Sequence, residues 1–325
     1  MQTLIMRASL FFLFTTMEMG RYLSMNVNIK YPKQDFYATI ADVNIKSLSD
    51  GDFSALRKIV ESYGVTVIKN QQVNDEEQIS FSERFGDLEI SIGTNHNKEN
   101  NPHLRPQISR ISNVNIATNK LIPVDDPKVV FDRGNNWWHT DSSFKKIPAT
   151  FSILSAREIP KEGGDTEFVD ARHALETWDR KPRKHSVEQI KNLITEHSIV
   201  YSRMQNTGDI FNTTFKKLLP YVKQRLIRTH PYTKRNSFYA GSHCSHVVGW
   251  DLDEGKNLIH EINEWIVNSG EIARHNWSRG EIVIWDNRRV LHRGMGYNES
   301  MHRRIMHRTT VAGDKPSYEE KVIYY

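Results

Sequence analysis

Trp138-His139-Thr140-Asp141 places an imidazole and a carboxylate two residues apart. In an extended strand, residues i and i+2 point to the same face, so His139 and Asp141 can aim at one point. Both are metal-ligand types. Val290-Leu291-His292-Arg293-Gly294, at the end of an apolar run, offers a third ligand in His292. Two histidines and one carboxylate on one face of an ion leave three positions open, which suits a non-haem iron(II) centre. Zinc more often takes three or four protein ligands in a tetrahedron. An H-x-D pair alone also arises from ordinary surface polarity, so the metal reading needs support from elsewhere in the chain.

Support of a different kind lies in Arg303-Arg304-Ile305-Met306-His307-Arg308. If this is a strand, Arg304, Met306, Arg308 and Thr310 share a face, and two guanidiniums point inward at alternate rungs. Buried arginines need anions. Inward acidic residues or a small anionic ligand would both serve, and the segment by itself leaves the two open. Glu162-Gly163-Gly164-Asp165-Thr166 reads as a Gly-Gly turn into a strand. The Thr166 hydroxyl at the start of that strand could donate to a carboxylate.

Most elements that must carry these residues are β-strands. Strand patterns occupy 36–44, Val65–Ile68, Thr150–Ser155, Thr166–Val169, His197–Ser202, Leu226–Thr229, Ser237–Ala240, Ile282–Trp285 and Arg304–Val311. Phe53–Tyr63 reads as an amphipathic helix with Phe53, Leu56, Ile59 and Val60 on one face and Gly64 as its stop. Asn74 with Glu77 resembles a capping box opening a helix that ends at Gly86, and Ser186 with Gln189 caps a helix across 187–196. A further helix spans 253–269. Residues 94–136 are rich in Asn, Pro and charge, with short β-like pieces around Ile108–Val114, and are expected to form a lid; 203–224 is a second insertion. No 20–50-residue repeat appears, which excludes solenoids and propellers. Many strands with few parallel crossovers predict a closed or two-sheet antiparallel barrel with flanking helices.

Composition narrows the classes further. The chain has 325 residues, 38% of them hydrophobic, enough for a sizeable core in one large domain. The net charge of +5 is scattered, with no basic tail, which argues against nucleic acid as a partner. The single cysteine, Cys244, allows neither an intramolecular disulfide nor a cysteine-rich zinc site and suits a cytoplasmic setting. No apolar run reaches the roughly 18 residues of a membrane span. Residues 1–25 include the short apolar run Leu10-Phe11-Phe12-Leu13-Phe14 and are read as a disordered leader or a mis-called start, in preference to an export signal. Residues 26–325 then form a single domain. The oligomeric state is open, and a homo-oligomer is compatible with the sequence.

Five segments in order carry a family resemblance: Trp138–Phe144 (WHTDSSF), Gly163–Phe168 (GGDTEF), Trp285–Asn287, Val290–Gly294 (VLHRG) and Arg304–Thr310 (RIMHRTT). Together they resemble the superfamily of taurine dioxygenase and 2,4-dichlorophenoxyacetate dioxygenase, from about residue 36 to 316. Trp138–Arg157 and Gly241–Gly249 look closer to the phenoxyacetate branch, while Arg303–Pro316 looks close to the taurine branch as well. The resemblance implies a double-stranded β-helix, or jelly-roll, core. It implies iron(II) held by His139, Asp141 and His292, with 2-oxoglutarate and dioxygen as co-substrates. By position it implies Thr166 and Arg304 on the far carboxylate of 2-oxoglutarate, and Arg308 on the anionic end of the primary substrate. Asn135, four residues before His139, falls where the family places a substrate-side asparagine.

The expected activity is hydroxylation of a small organic anion, foremost a carboxylate of the phenoxyalkanoate type, giving succinate and carbon dioxide alongside. Two other readings stand beside it: an alkylsulfonate or taurine oxygenase, and a non-catalytic small-molecule binder on the same barrel. The taurine branch carries histidines after its FG-D/E-L segment, whereas Phe85-Gly86-Asp87-Leu88 is followed here by Glu89-Ile90-Ser91. His243-Cys244-Ser245-His246 is taken as packing or lining around the site, because the triad is already complete and cysteine packs as a small hydrophobe. Trp137, Trp138, Trp250 and Trp265 are expected in the core.

Overall fold

The structure is a computed structural model that describes residues 26–30, 35–41, 43–91, 105–208 and 213–324. The expected leader, residues 94–104 of the expected lid and residues 209–212 of the second insertion lie outside the described residues. In chain order the elements begin β1 Asn26–Lys30, β2 Tyr37–Ala41, α1 Asp50–Ser62, β3 Val65–Ile68, α2 Asp75–Glu83, β4 Ser109–Ser112 and α3 Pro127–Asp132. They continue β5 Ala149–Glu158, β6 Thr166–Asp170, α4 Ala171–Thr177, α5 Val187–Ile190, β7 Ile194–His197, α6 Ile199–Thr207 and α7 Thr213–Leu218. The last are β8 Val222–Arg225, β9 Ile227–Thr229, β10 Asn236–Phe238, β11 Cys244–Val247, α8 Leu252–Ser269, β12 Ala273–His275, β13 Ile282–Asp286, β14 Val290–Gly294 and β15 Ile305–Ala312.

Period-two alternation assigns each strand two faces, and the packing follows it. The large sheet runs β1-β2-β3-β13-β5-β15-β4, with only β2 and β3 parallel. On one face, Phe151, Ile153, Ile282 and Ile284 meet Phe53, Leu56 and Ile59 of α1 and Phe81 of α2. On the other, Leu154, Val283, Trp285 and Met306 meet Phe168 and Val290 of the smaller β12-β6-β14 sheet. Val169 and Leu291 point out of that smaller sheet onto a third cluster built from α8, α4 and β9–β11. This is the jelly-roll core with flanking helices. Thr166, His292 and Arg308 are carried by strands of the two sheets, β6, β14 and β15.

Local chemistry accounts for the helix starts. Asn74 and Glu77 form the expected reciprocal capping box, and Ser49 accepts from Asp52 N at the start of α1. Residues 187–202 depart from expectation. The helix expected over 187–196 stops at Ile190, and Ile194–His197 is a strand between β11 and β8. The expected strand through 197–202 is helix α6, opened by Ser198, whose Oγ accepts from Tyr201 N. A short buried apolar run carries no period that separates strand from helix, and the Ser198 cap decided it. The two expected insertions also carry regular structure. β4 pairs along β15, α3 follows it, and 203–224 contains the end of α6, all of α7 and the start of β8. No helix among the described residues is long and apolar enough to cross a membrane.

Candidate active site

His139 and His292 stand directly opposite each other. They form one antiparallel bridge, in which His139 N donates to His292 O at 3.0 Å and His292 N donates to His139 O at 2.8 Å. The strand expected through Asp141 is absent: ladder pairing ends at His139, and Asp141 begins a turn in which Ser142 has a φ of +55°. Asn287, in the turn between β13 and β14, replaces the ladder. Its backbone oxygen accepts from Thr140 Oγ1 at 2.7 Å, and its Oδ1 accepts from Asp141 N at 3.1 Å and Trp285 Nε1 at 3.1 Å. Asn287 Nδ2 donates to Ser152 Oγ at 2.9 Å, and Ser152 Oγ donates to Asp141 Oδ2 at 2.7 Å. The Asp141 carboxylate is thus aimed by a buried network from β5 and β13.

The two histidines address opposite oxygens of that carboxylate: His139 Nε2 lies 3.8 Å from Asp141 Oδ1, and His292 Nε2 lies 3.7 Å from Oδ2. Ligand atoms each about 2 Å from one ion stand about 3–4 Å apart, so the spacing fits a metal. His139 Nδ1 donates to Trp137 O at 2.7 Å, which leaves Nε2 with its lone pair toward the cluster. Burial lowers the His139 pKa to about 4 and holds His292 well below the ordinary histidine range, so both rings are neutral and can ligate. Burial alone would raise the Asp141 pKa. Arg308 first, then His292, His139 and the Ser152 hydroxyl outweigh it and keep the carboxyl ionised.

A second acidic and histidine cluster among the described residues, Glu61, His230 and Asp286, fails the same test. His230 Nδ1 accepts from Thr233 N at 3.0 Å, so its Nε2 carries the proton and donates to Asp286 Oδ2 at 2.7 Å. Arg288 fills the remaining space, with Nη2 at 2.6 Å from Glu61 and 2.8 Å from Asp286. It is an ion-pair network with its cation already in place.

Two arginines of the β15 segment flank the His–Asp–His cluster. Arg308 Nη1 donates to Asp141 Oδ1 at 2.5 Å, while its buried Nε has no hydrogen-bond partner. Arg304 is buried, donates to Gly164 O through Nη2 at a long 3.3 Å, and likewise keeps a buried, unpartnered Nε. Buried N–H groups without acceptors are costly, and an anionic ligand would satisfy them. Arg304 and Asn135 line one cavity of about 70 Å³, together with Asn113, Tyr297 and Gly294. Thr166 Oγ1 accepts from Trp277 Nε1 at 3.0 Å, so its own proton is free to point elsewhere.

Residues 28–310 match the model of the family described as Taurine catabolism dioxygenase TauD, TfdA family. The chain belongs to this family. It is therefore related to dioxygenases along nearly all of its described length, and is itself an oxidoreductase. It is 33% identical over 277 residues to an alpha-ketoglutarate-dependent 2,4-dichlorophenoxyacetate dioxygenase of Cupriavidus pinatubonensis, covering 85% of this chain and 94% of the relative. It is 28% identical to an (S)-phenoxypropionate/alpha-ketoglutarate-dioxygenase of Delftia acidovorans, covering 83% and 90%. Among solved structures, AAD-2 in complex with Mn(II) and N-oxalylglycine superposes with a TM-score of 0.79 at 30% identity, over 92% of this chain and all of that one.

In this TauD/TfdA chain, His139, Asp141, His292 and Arg308 form one contiguous cluster, and Arg304 with Asn135 forms its neighbouring cavity. Three further residues were not singled out by the sequence. Asn287 and Ser152 orient Asp141, and only the position of Asn287 inside the Trp285–Asn287 segment could have pointed to it. Arg203, buried on α6, donates to Asn135 Oδ1 at 2.8 Å. His243 lies with its ring 5.6 Å from that of His139, and its Nδ1 is 2.8 Å from Ser202 Oγ, which fits a lining role. Trp137 corrects an expectation: it is 54% exposed rather than core, and contributes its carbonyl to His139.

Proposed function

We propose that the chain is an iron(II)- and 2-oxoglutarate-dependent dioxygenase that hydroxylates a small organic carboxylate of the phenoxyalkanoate type, with succinate and carbon dioxide as co-products. The observation that carries this reading is a pair of guanidiniums, Arg304 buried and Arg308 half-buried, each with a buried, unsatisfied Nε–H at or next to a neutral-histidine and carboxylate cluster. One arginine for each of two anions is what a co-substrate and an acidic substrate require.

His139, Asp141 and His292 would hold iron(II), which, when bound, supplies the activation of dioxygen that drives hydroxylation. The protein's part is positioning. Arg304 and the Thr166 hydroxyl grip the far carboxylate of 2-oxoglutarate. Arg308, already on the Asp141 carboxylate, keeps a substrate anion within one guanidinium width of the proposed metal ligands, and Asn135 adds an amide contact from the neighbouring cavity that it lines with Arg304. The inner-face aromatics Phe168 and Trp285 pack against the His292 ring and exclude water behind it.

A carboxylate substrate is favoured over a sulfonate such as taurine. In the segment where the taurine branch carries histidines, Glu89 accepts from Ser142 Oγ at 2.7 Å and pairs with Lys145 at 2.6 Å. With its charge matched by Lys145, it offers a sulfonate no N–H donor of the kind a histidine would supply.

The test is succinate formation from 2-oxoglutarate with iron(II) and air, across phenoxyacetates, phenoxypropionates and taurine. Strong stimulation by a phenoxyalkanoate is the expected result. Stimulation by taurine alone would replace the substrate class. No succinate from folded, iron-loaded protein would leave a binding protein on this barrel.

A further inference from the structure

Arg304 stands one residue before β15, where the sheet no longer holds it. The ladder to β4 ends at Ile305, opposite Ser112. A buried backbone N–H without an acceptor is costly. The Arg304 N–H finds its acceptor in a side chain, donating to Asn113 Oδ1 at 2.9 Å. The same amide donates through Nδ2 to Glu299 O and His302 O, both at 2.8 Å. Asn113 is buried, and all of these bonds go to the backbone of 299–304. Among side chains of this length, only an amide combines that acceptor with two donors.

Asn113 is itself fixed by the chain that follows it. Its carbonyl accepts from Ile122 N at 2.8 Å, at the base of a hairpin with a bridge between Val114 and Leu121. Arg303 grips the far end of that hairpin, donating to Asn119 O at 2.7 Å and to Asn119 Oδ1 at 2.8 Å. Arg133 ties down the facing turn by pairing with the Glu299 carboxylate at 2.6 Å. Asp132, the other carboxylate lining the cavity, pairs with Lys128 at 2.6 Å. The Arg304 guanidinium has no comparable anchor. Its Nη2 contact with Gly164 O is long, at 3.3 Å, and its buried Nε has no partner. Its place in the cavity therefore depends on its backbone, and Asn113 holds that backbone.

We propose that Asn113 is a positioning residue for Arg304: its side chain takes the place of the missing ladder bond and sets the guanidinium where it grips the far carboxylate of 2-oxoglutarate. This rests on the dioxygenase reading above. The part of the expected lid that carries Asn113 then buttresses the co-substrate cavity. Two residues that act through one contact are energetically coupled, here by on the order of ten-fold.

The test is a double-substitution cycle read by succinate formation. Asn113→Leu keeps the shape of the amide and removes its hydrogen bonds. It should raise the KM for 2-oxoglutarate about ten-fold. The KM for phenoxyacetate and the Kd for iron(II), titrated anaerobically, should stay within about two-fold of wild type. In an Arg304→Gln background the same substitution should add less than about two-fold, because the group it positions is gone. Asn113→Asp keeps the acceptor for Arg304 N and loses both donors. It should give a smaller rise with the same selectivity, and it decides with the same constants if Asn113→Leu does not fold. An unchanged KM for 2-oxoglutarate in a folded variant, an equal rise in all three constants, or the full effect in the Arg304→Gln background overturns the assignment. A lower Tm with all three constants unchanged marks a structural clasp and overturns it too. If Arg304→Gln itself leaves the KM for 2-oxoglutarate unchanged, or the wild type forms no succinate, the reading beneath falls and the proposal with it.

Discussion

His139 and His292 are cross-strand partners that exchange both backbone hydrogen bonds, so the separation of the two imidazoles is set by the sheet. The proposed ligands are therefore preorganised, and metal arrival would need no refolding of the core. Binding should therefore appear as added stability: at a free metal concentration one hundred times Kd, about 2.7 kcal/mol, or roughly 5 °C in Tm. Differential scanning calorimetry with and without iron(II) under anaerobic conditions checks this. His139→Ala should keep the fold and lose the metal-dependent rise.

Ser152 holds Asp141 Oδ2 from behind and is itself held by Asn287. Ser152→Ala should weaken iron(II) binding about ten-fold, since partners that orient a ligand are worth roughly that much. The KM for 2-oxoglutarate should stay unchanged. Anaerobic titration of iron(II) into both proteins makes the comparison, and equal affinities would show that Asp141 is aimed by other contacts.

Arg304 and Arg308 should separate kinetically. Arg304→Gln removes a buried charged donor and should raise the KM for 2-oxoglutarate about one hundred-fold, the worth of two hydrogen bonds to a charged group. Arg308→Gln should act mainly on the primary substrate. Succinate assays at varied 2-oxoglutarate and varied substrate read the two independently, and an exchange of the two effects would swap the assignments.

Trp277 donates to Thr166 Oγ1 at 3.0 Å and thereby directs the threonine proton away from itself. Trp277→Phe keeps the ring and deletes that donor. The KM for 2-oxoglutarate should rise about five-fold, the size of one ordinary hydrogen bond, with little change in the KM for the primary substrate.

Acid should unfold the protein through its buried carboxylates. Burial alone would raise the pKa of Asp286, but Arg288 and then His230 outweigh it and hold it well below the ordinary value; Asp170 is likewise lowered by Arg172. Because the folded-state pKa is the lower one, their stabilisation is complete above the unfolded-state value of about 4 and is lost as pH falls through the folded-state value. Urea midpoints should be flat from neutrality to about pH 5 and fall steeply below about pH 4. Asp286→Asn, which leaves the buried Arg288 with Glu61 as its remaining carboxylate partner, should cost about 3 kcal/mol at neutral pH.

The clustering of His139, Asp141 and His292 was legible because their residue types are scarce and their spacing specific, and the inward arginine pair because two cations in an apolar strand demand an anion. The route by which His139 and Asp141 converge was not. Strand periodicity suggested it, but a single bridge followed by a turn delivers it, and the turn depends on Asn287, far along the chain. Residues 187–202 failed for a different reason: Ile199 and Val200 fit a buried strand and a buried helix equally well, and one hydroxyl at Ser198 settles the choice. Arg203 was invisible because nothing in its neighbours along the chain says that it will lie against Gly134.

That last contact couples two positions that can scarcely change one at a time. While the arginine keeps this seat, a side chain at 134 would collide with its Cδ, Nε and Cζ and push the guanidinium aside. Once the arginine is lost, any residue at 134 can occupy the vacated volume and present its own chemistry to the substrate. Among relatives of this chain the two positions should therefore vary together, glycine with arginine or a larger residue with none. A sequence survey of that pair would show whether the two positions are replaced together.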